Sequence, residues 1–163
     1  MKLLHTYLIG LTLLFSTFVH ATDSATDWRQ TASTAEKVNN LTQVMPGAST
    51  IMLQMGERYK NLYWAANLGK WEFSEYQLEE MEELVKTLMI TRPARAKTAK
   101  DFLDSGLQAF PDAFKNKDWK TFQTAFEQMR SHCMVCHIRN DHGFVTLPMV
   151  PKMGNSIVLE VKP

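Results

Sequence analysis

The chain has 163 residues with 18 Lys and Arg against 17 Asp and Glu, a formal net charge of +1. That length suits one domain. The near-neutral balance does not call for nucleic acid or an anionic surface as a partner.

Met1-Lys2 is a short basic start, and Leu3 to Val19 is mostly apolar. Val19-His20-Ala21 is a small-x-small ending followed by the polar Thr22-Asp23-Ser24. These features read as a secretory signal peptide over 1–21, cleaved after Ala21. An uncleaved membrane anchor is the alternative, although the run sits at the lower length limit for spanning a bilayer. The mature chain would be 22–163, with no further apolar run long enough to cross a membrane. It is therefore expected to be soluble in the periplasm, without stable membrane insertion after signal cleavage. Loss of Lys2 leaves 17 basic residues against 17 acidic ones. Both cysteines survive, and in an oxidising compartment two thiols must pair, bind something or react.

Residues 22–48 form a lead-in in which Val38, Leu41 and Met45 mark either a short helix or a polar approach. Residues 49–143 read as four helices. In the first, Ile51, Met52, Met55, Tyr59, Leu62, Tyr63 and Ala66 recur at three- and four-residue steps, the mark of one buried helix face. Ser49 suits its N-cap and Gly69 its stop. The second begins near Ser74, with Gln77 completing a capping box, and carries Leu78, Met81, Leu84, Val85 and Leu88 on one side and four glutamates on the other. Pro93 suits the first turn of a third helix running to Phe110, with Pro111 as its stop. The fourth opens at the N-cap Asp118, carries Trp119, Phe122, Phe126, Met129 and Cys133 inward, and ends within 139–143. The tail, 144–163, with Pro148, Pro151, Gly154 and Pro163, reads as an extended strap. The expected fold is all-α: an antiparallel four-helix bundle with an extended C-terminal strap, since amphipathic helices on short connections must bury their faces on one another.

Cys133-Met134-Val135-Cys136-His137 is the haem attachment pattern C-x-x-C-H. Two thiols three residues apart on a helix point the same way and can reach both vinyl groups of one porphyrin. His137 can then set an imidazole nitrogen on the iron. A thioredoxin-like dithiol is the first alternative, but it belongs in a strand–helix context. A zinc site would have to draw on Cys133, Cys136, His132, His137 and His142, all within one short stretch.

A four-helix chain with this motif near its C-terminal end resembles the class II c-type cytochromes, the cytochrome c′ group, over about 50–143. The stretch Tyr63-Trp64-Ala65-Ala66-Asn67-Leu68-Gly69-Lys70-Trp71-Glu72, with the later Cys-x-x-Cys-His…Gly-Phe, is similar to a second group of small exported monohaem proteins. The resemblance implies a periplasmic bundle with one covalent haem c, thioethers at Cys133 and Cys136, and His137 as proximal ligand. The tail after the last helix departs from cytochrome c′.

In class II relatives the first bundle helix crosses the distal face, which here offers Met52 and Met55 to the iron. Methionine on such a stripe also serves as plain core filler. His142, Met149 and Met153 are further candidates. Arg139 and Arg130 flank the motif as partners for a haem propionate. The expected function is a non-enzymatic carrier of single electrons between redox partner proteins. The alternative is a high-spin haem protein that binds nitric oxide or carbon monoxide. A peroxidase-like enzyme is disfavoured because no distal His–Arg pair can be assigned. The apolar first-helix face leaves room for a homodimer.

Overall fold

A computed structural model describes residues 27–153, and the expected signal peptide and the end of the tail lie outside them. The described residues contain helices and no strands. None of these helices is long and apolar enough to cross a membrane. The chain divides into two units at Val44–Met45.

The first unit holds α1 (Trp28–Thr31) and α2 (Thr34–Gln43). Each has a side-chain cap: Asp27 accepts from the Arg29 amide, and Ser33 accepts from the Glu36 amide at 3.3 Å. Ser33 and Glu36 have the capping-box spacing, a start signal overlooked in the lead-in. Val38 and Leu41 are both more than half exposed.

The second unit contains α3 (Ala48–Asn67), α4 (Trp71–Thr91), a 3-10 turn (Pro93–Arg95), α5 (Ala96–Gly106), α6 (Phe110–Asn116) and α7 (Trp119–Arg139). α3 packs along α4, α4 against α5, and α7 against α5, α6 and α3. The inward stripes match the sequence periodicity: Ile51, Met55, Tyr59 and Leu62 of α3 and Phe122, Phe126 and Met129 of α7 are buried.

Three boundaries differ from expectation. α4 starts at Trp71, not near Ser74. Ser74 and Gln77 are instead buried inside it. The Ser74 hydroxyl donates to the Leu62 carbonyl at 2.8 Å, and Gln77 accepts from Arg58 at 3.1 Å. Both residues tie α4 to α3 where a cap was read. α3 is preceded by Gly47 as N-cap, with Ser49 already inside the helix. The expected third helix is interrupted: α5 stops at Gly106, and Pro111 opens α6 instead of ending α5. A proline in a first turn forfeits no helical hydrogen bond, so the residue permits a start as readily as a stop. A Cβ on Gly106 would meet the Phe102 ring at 2.9 Å and the Cβ of His132 at 3.3 Å. Only glycine lets α5 approach α7 that closely.

Gly69 ends α3 as read, at φ 70°. Lys70 N–H reaches the Ala65 carbonyl at 2.8 Å and Gly69 N–H that of Ala66 at 3.0 Å, the Schellman pattern. α7 closes the same way: Asp141 takes φ 62°, and His142 N–H reaches the His137 carbonyl at 2.8 Å. Aspartate tolerates that left-handed conformation better than most residues. The motif turns the chain back, and residues 144–153 follow without helix.

Candidate cofactor site

Cys133, Cys136 and His137 stand at i, i+3 and i+4 near the end of α7, so all three share one face. That face forms one wall of a cavity of about 420 Å³. The volume lies within the range of about 300–1,000 Å³ usual for small-molecule and cofactor sites. The start of α3 supplies Met52, Met55 and Tyr59 to the cavity, α4 supplies Met81, Val85 and Leu88, and α5 supplies Ala99 and Phe102. Val145 to Leu147 of the returning tail close another side.

Both cysteines are free thiols. Burial, and then the neighbouring Cys136, push the Cys133 thiol up to about 12. Burial raises Cys136 as well, opposed by the Thr98 hydroxyl and the Arg95 charge. A dithiol redox centre needs the reverse, a thiol lowered by a helix N-terminus or a cation. Here the pair sits in the closing turns of a helix, where the dipole disfavours thiolate. Among the described residues, no three His, Cys, Asp or Glu side chains converge as a metal-ion site requires.

The imidazole of His137 is oriented by its second nitrogen. Nδ1 lies 2.8 Å from the carbonyl oxygen of Val145. A carbonyl only accepts, so the contact assigns a proton to Nδ1, the arrangement in which Nε2 is the nitrogen free to bind a metal. Iron-binding histidines are held in this manner, by a backbone acceptor on the far nitrogen. Asn140 secures the same turn: its amide donates to the Cys136 carbonyl and to the Thr98 hydroxyl, both at 2.8 Å.

The other candidates separate clearly. Met52 and Met55 both line the cavity, Met55 buried and Met52 half-buried. Met81, expected only as part of the α4 stripe, lines it too. His142 lines the cavity, with Nδ1 engaged by the Asn140 carbonyl and the ring stacked on Phe144. Met149 and Met153 are about half exposed and do not line it. Arg139, expected beside the cofactor, is not among the lining residues and pairs with Asp101 at 2.9 Å, while its charge still reaches the Cys136 thiol. Arg130 likewise lies outside the lining and donates to the Leu147 carbonyl at 2.9 Å.

The helical pattern sets Arg95 on the basic outer face at the start of the third helix, with Arg92, Lys97 and Lys100. Arg95 instead stands half-buried on the cavity wall. Every other arginine has a hydrogen-bond partner: Arg29 with Asp27, Arg58 with Gln77 and Glu80, Arg92 with the Thr91 carbonyl, and Arg130 and Arg139 as above. Arg95 makes no side-chain hydrogen bond or ion pair among the described residues. A guanidinium left unpaired beside an apolar wall favours an anionic group of a ligand.

Comparison with protein-family models, with curated proteins and with solved structures finds no match for this chain.

Proposed function

We propose that the chain is an exported, periplasmic monohaem c-type cytochrome that carries single electrons between partner proteins and is not an enzyme. In this reading α3, α4, α5 and α7 form an antiparallel four-helix bundle of the cytochrome c′ kind, with the tail as an added strap. One haem would be held by thioethers at Cys133 and Cys136 and by His137 on the iron. The observation that carries the proposal is the 2.8 Å approach of His137 Nδ1 to the Val145 carbonyl, on the wall that holds both thiols, an acceptor that assigns the proton to Nδ1 and leaves Nε2 available.

When bound, haem supplies a one-electron iron couple. The protein residues do the rest. The two cysteines tether the group, so that it stays through changes of oxidation state. The apolar wall of Val85, Leu88 and Phe102 keeps water from it. Arg95, which lines the cavity, would be a partner for the haem carboxylates, the role also expected of Arg139. Met52 and Met55, which line the cavity, would be the candidates for a further iron ligand, and a thioether there would raise the reduction potential.

Expression of the full chain with a haem-attachment system tests this. After acid–acetone extraction the protein should remain coloured, and colourless protein would sink the proposal. A methionine ligand predicts a low-spin spectrum that ignores carbon monoxide, and Met52→Ala should turn it high-spin. A wild-type spectrum that is high-spin and shifts with carbon monoxide would favour the gas-binding reading. That reading is supported by the apolar, hydrocarbon-rich wall.

A further inference from the structure

The tail that touches His137 is itself held in place. Within 147–151, three carbonyl oxygens each accept from a side chain of α3 or α7. Arg130 Nε donates to Leu147 at 2.9 Å, Tyr59 Oη to Pro148 at 2.6 Å, and Trp64 Nε1 to Pro151 at 2.9 Å. Burial raises the Tyr59 hydroxyl well above its ordinary value, which keeps it a donor. Pro148 keeps Leu147 extended, and Pro151 is buried. At the other end of the segment, the Schellman turn fixes His142 to the His137 carbonyl, and Val145 N–H bonds His142 at 2.8 Å.

We infer that Tyr59, Trp64 and Arg130 are positioning residues for the iron ligand: they hold segment 144–151 so that the Val145 carbonyl keeps the proton of His137 Nδ1. This rests on the cytochrome reading and adds to it a second layer of residues behind the histidine. Val145 is half exposed, and its backbone is held by the turn behind it, through the His142 carbonyl, and by the anchored residues ahead. If the anchored stretch moves, the acceptor moves. A free histidine side chain prefers its proton on Nε2, so loss of the acceptor removes what holds the proton on Nδ1. An imidazole without that acceptor is also a weaker donor to oxidised iron.

The holoprotein provides the test. Trp64 is the decisive position, because it is uncharged and does not line the cavity. In Trp64→Phe and Arg130→Gln, the Nδ1 proton should exchange with solvent about five- to tenfold faster, the effect of losing one hydrogen bond. The reduction potential should rise in both. Tyr59→Phe should act alike, and Arg130→Lys should recover part of the effect. Ser74→Ala is the control: it breaks a buried hydrogen bond to Leu62 that does not involve the tail. Wild-type exchange and potential in Trp64→Phe and Arg130→Gln would overturn the positioning role, as would an equal change in Ser74→Ala. Coloured protein with those results leaves the cytochrome reading standing. Colourless wild-type protein removes both.

Discussion

The second unit has two ends, built from the same helices and filled in different ways. Where α3 ends and α4 and α7 begin, aromatic rings fill the interior. Phe122 meets Trp119, Phe110, Phe126, Phe114 and Trp71 at centroid distances between 5.5 and 6.2 Å. Where α3 begins and α7 ends, the side chains around the cavity that holds the C-x-x-C-H residues are mainly methionines, aliphatics and alanines, with Tyr59 and Phe102 as the only phenyl rings in its lining among the described residues. Close packing is the norm in protein interiors. One end obeys it with its own side chains. The other leaves a cavity of about 420 Å³, with one arginine and two imidazoles, His137 and His142, each held at Nδ1 by a backbone carbonyl, on its wall.

This contrast can be broken by mutation, most severely in the core. Phe122→Ala should cost about 3–5 kcal/mol, measured by urea denaturation of the chain without haem. Phe102→Ala, at the cavity, should cost clearly less, because one side of that ring lacks neighbouring atoms to lose. Equal losses would mean that the two ends are not packed differently.

Smaller effects sharpen the cavity end. Arg95→Ala should weaken haem retention in the Cys133→Ser, Cys136→Ser background by about 1.5–3 kcal/mol, the range for hydrogen bonds to charged groups. Arg139→Ala, which breaks only the exposed pair with Asp101, should cost about 0–1 kcal/mol. Titration of apoprotein with haem decides between them, and equal effects would return the role to Arg139.

The smallest effect belongs to the aromatic end. Asp118 caps α7 by accepting from the Thr121 amide at 2.8 Å, and bonds to the Thr121 side chain and amide hold its carboxyl below the ordinary value. A lowered carboxylate stabilises above its unfolded pKa, and that contribution fades as pH falls through the folded one. Asp118→Ala should therefore lower the melting temperature slightly at neutral pH. The difference from wild type should vanish in acid. A difference that persisted at low pH would exclude the cap as its source.

The parts of this molecule that were legible in sequence are those set by local repetition. The stripes of α3 and α7 follow from residues three and four apart, and the C-x-x-C-H triad shares a face for the same reason. What misled was local chemistry with a distant use. Ser74 and Gln77 have cap spacing, yet their partners Leu62 and Arg58 are on another helix. Arg139 sits beside the motif in sequence and is taken by Asp101, 38 residues away. Arg95, remote in sequence, reaches the cavity because the 3-10 turn after Pro93 carries it there.

The hold on the tail has a consequence for how its course is encoded. All three anchors grip backbone carbonyl oxygens, which every amino acid possesses. The instruction for where the tail runs is therefore written mainly in Tyr59 and Trp64, 89 and 87 residues upstream of the carbonyls they bind. The tail's exposed letters, such as Met149 and Val150, are left comparatively free, whereas Val145 and Leu147 line the cavity and Pro151 is buried. Those exposed side chains could be rewritten to present a different face while the track beneath stayed the same.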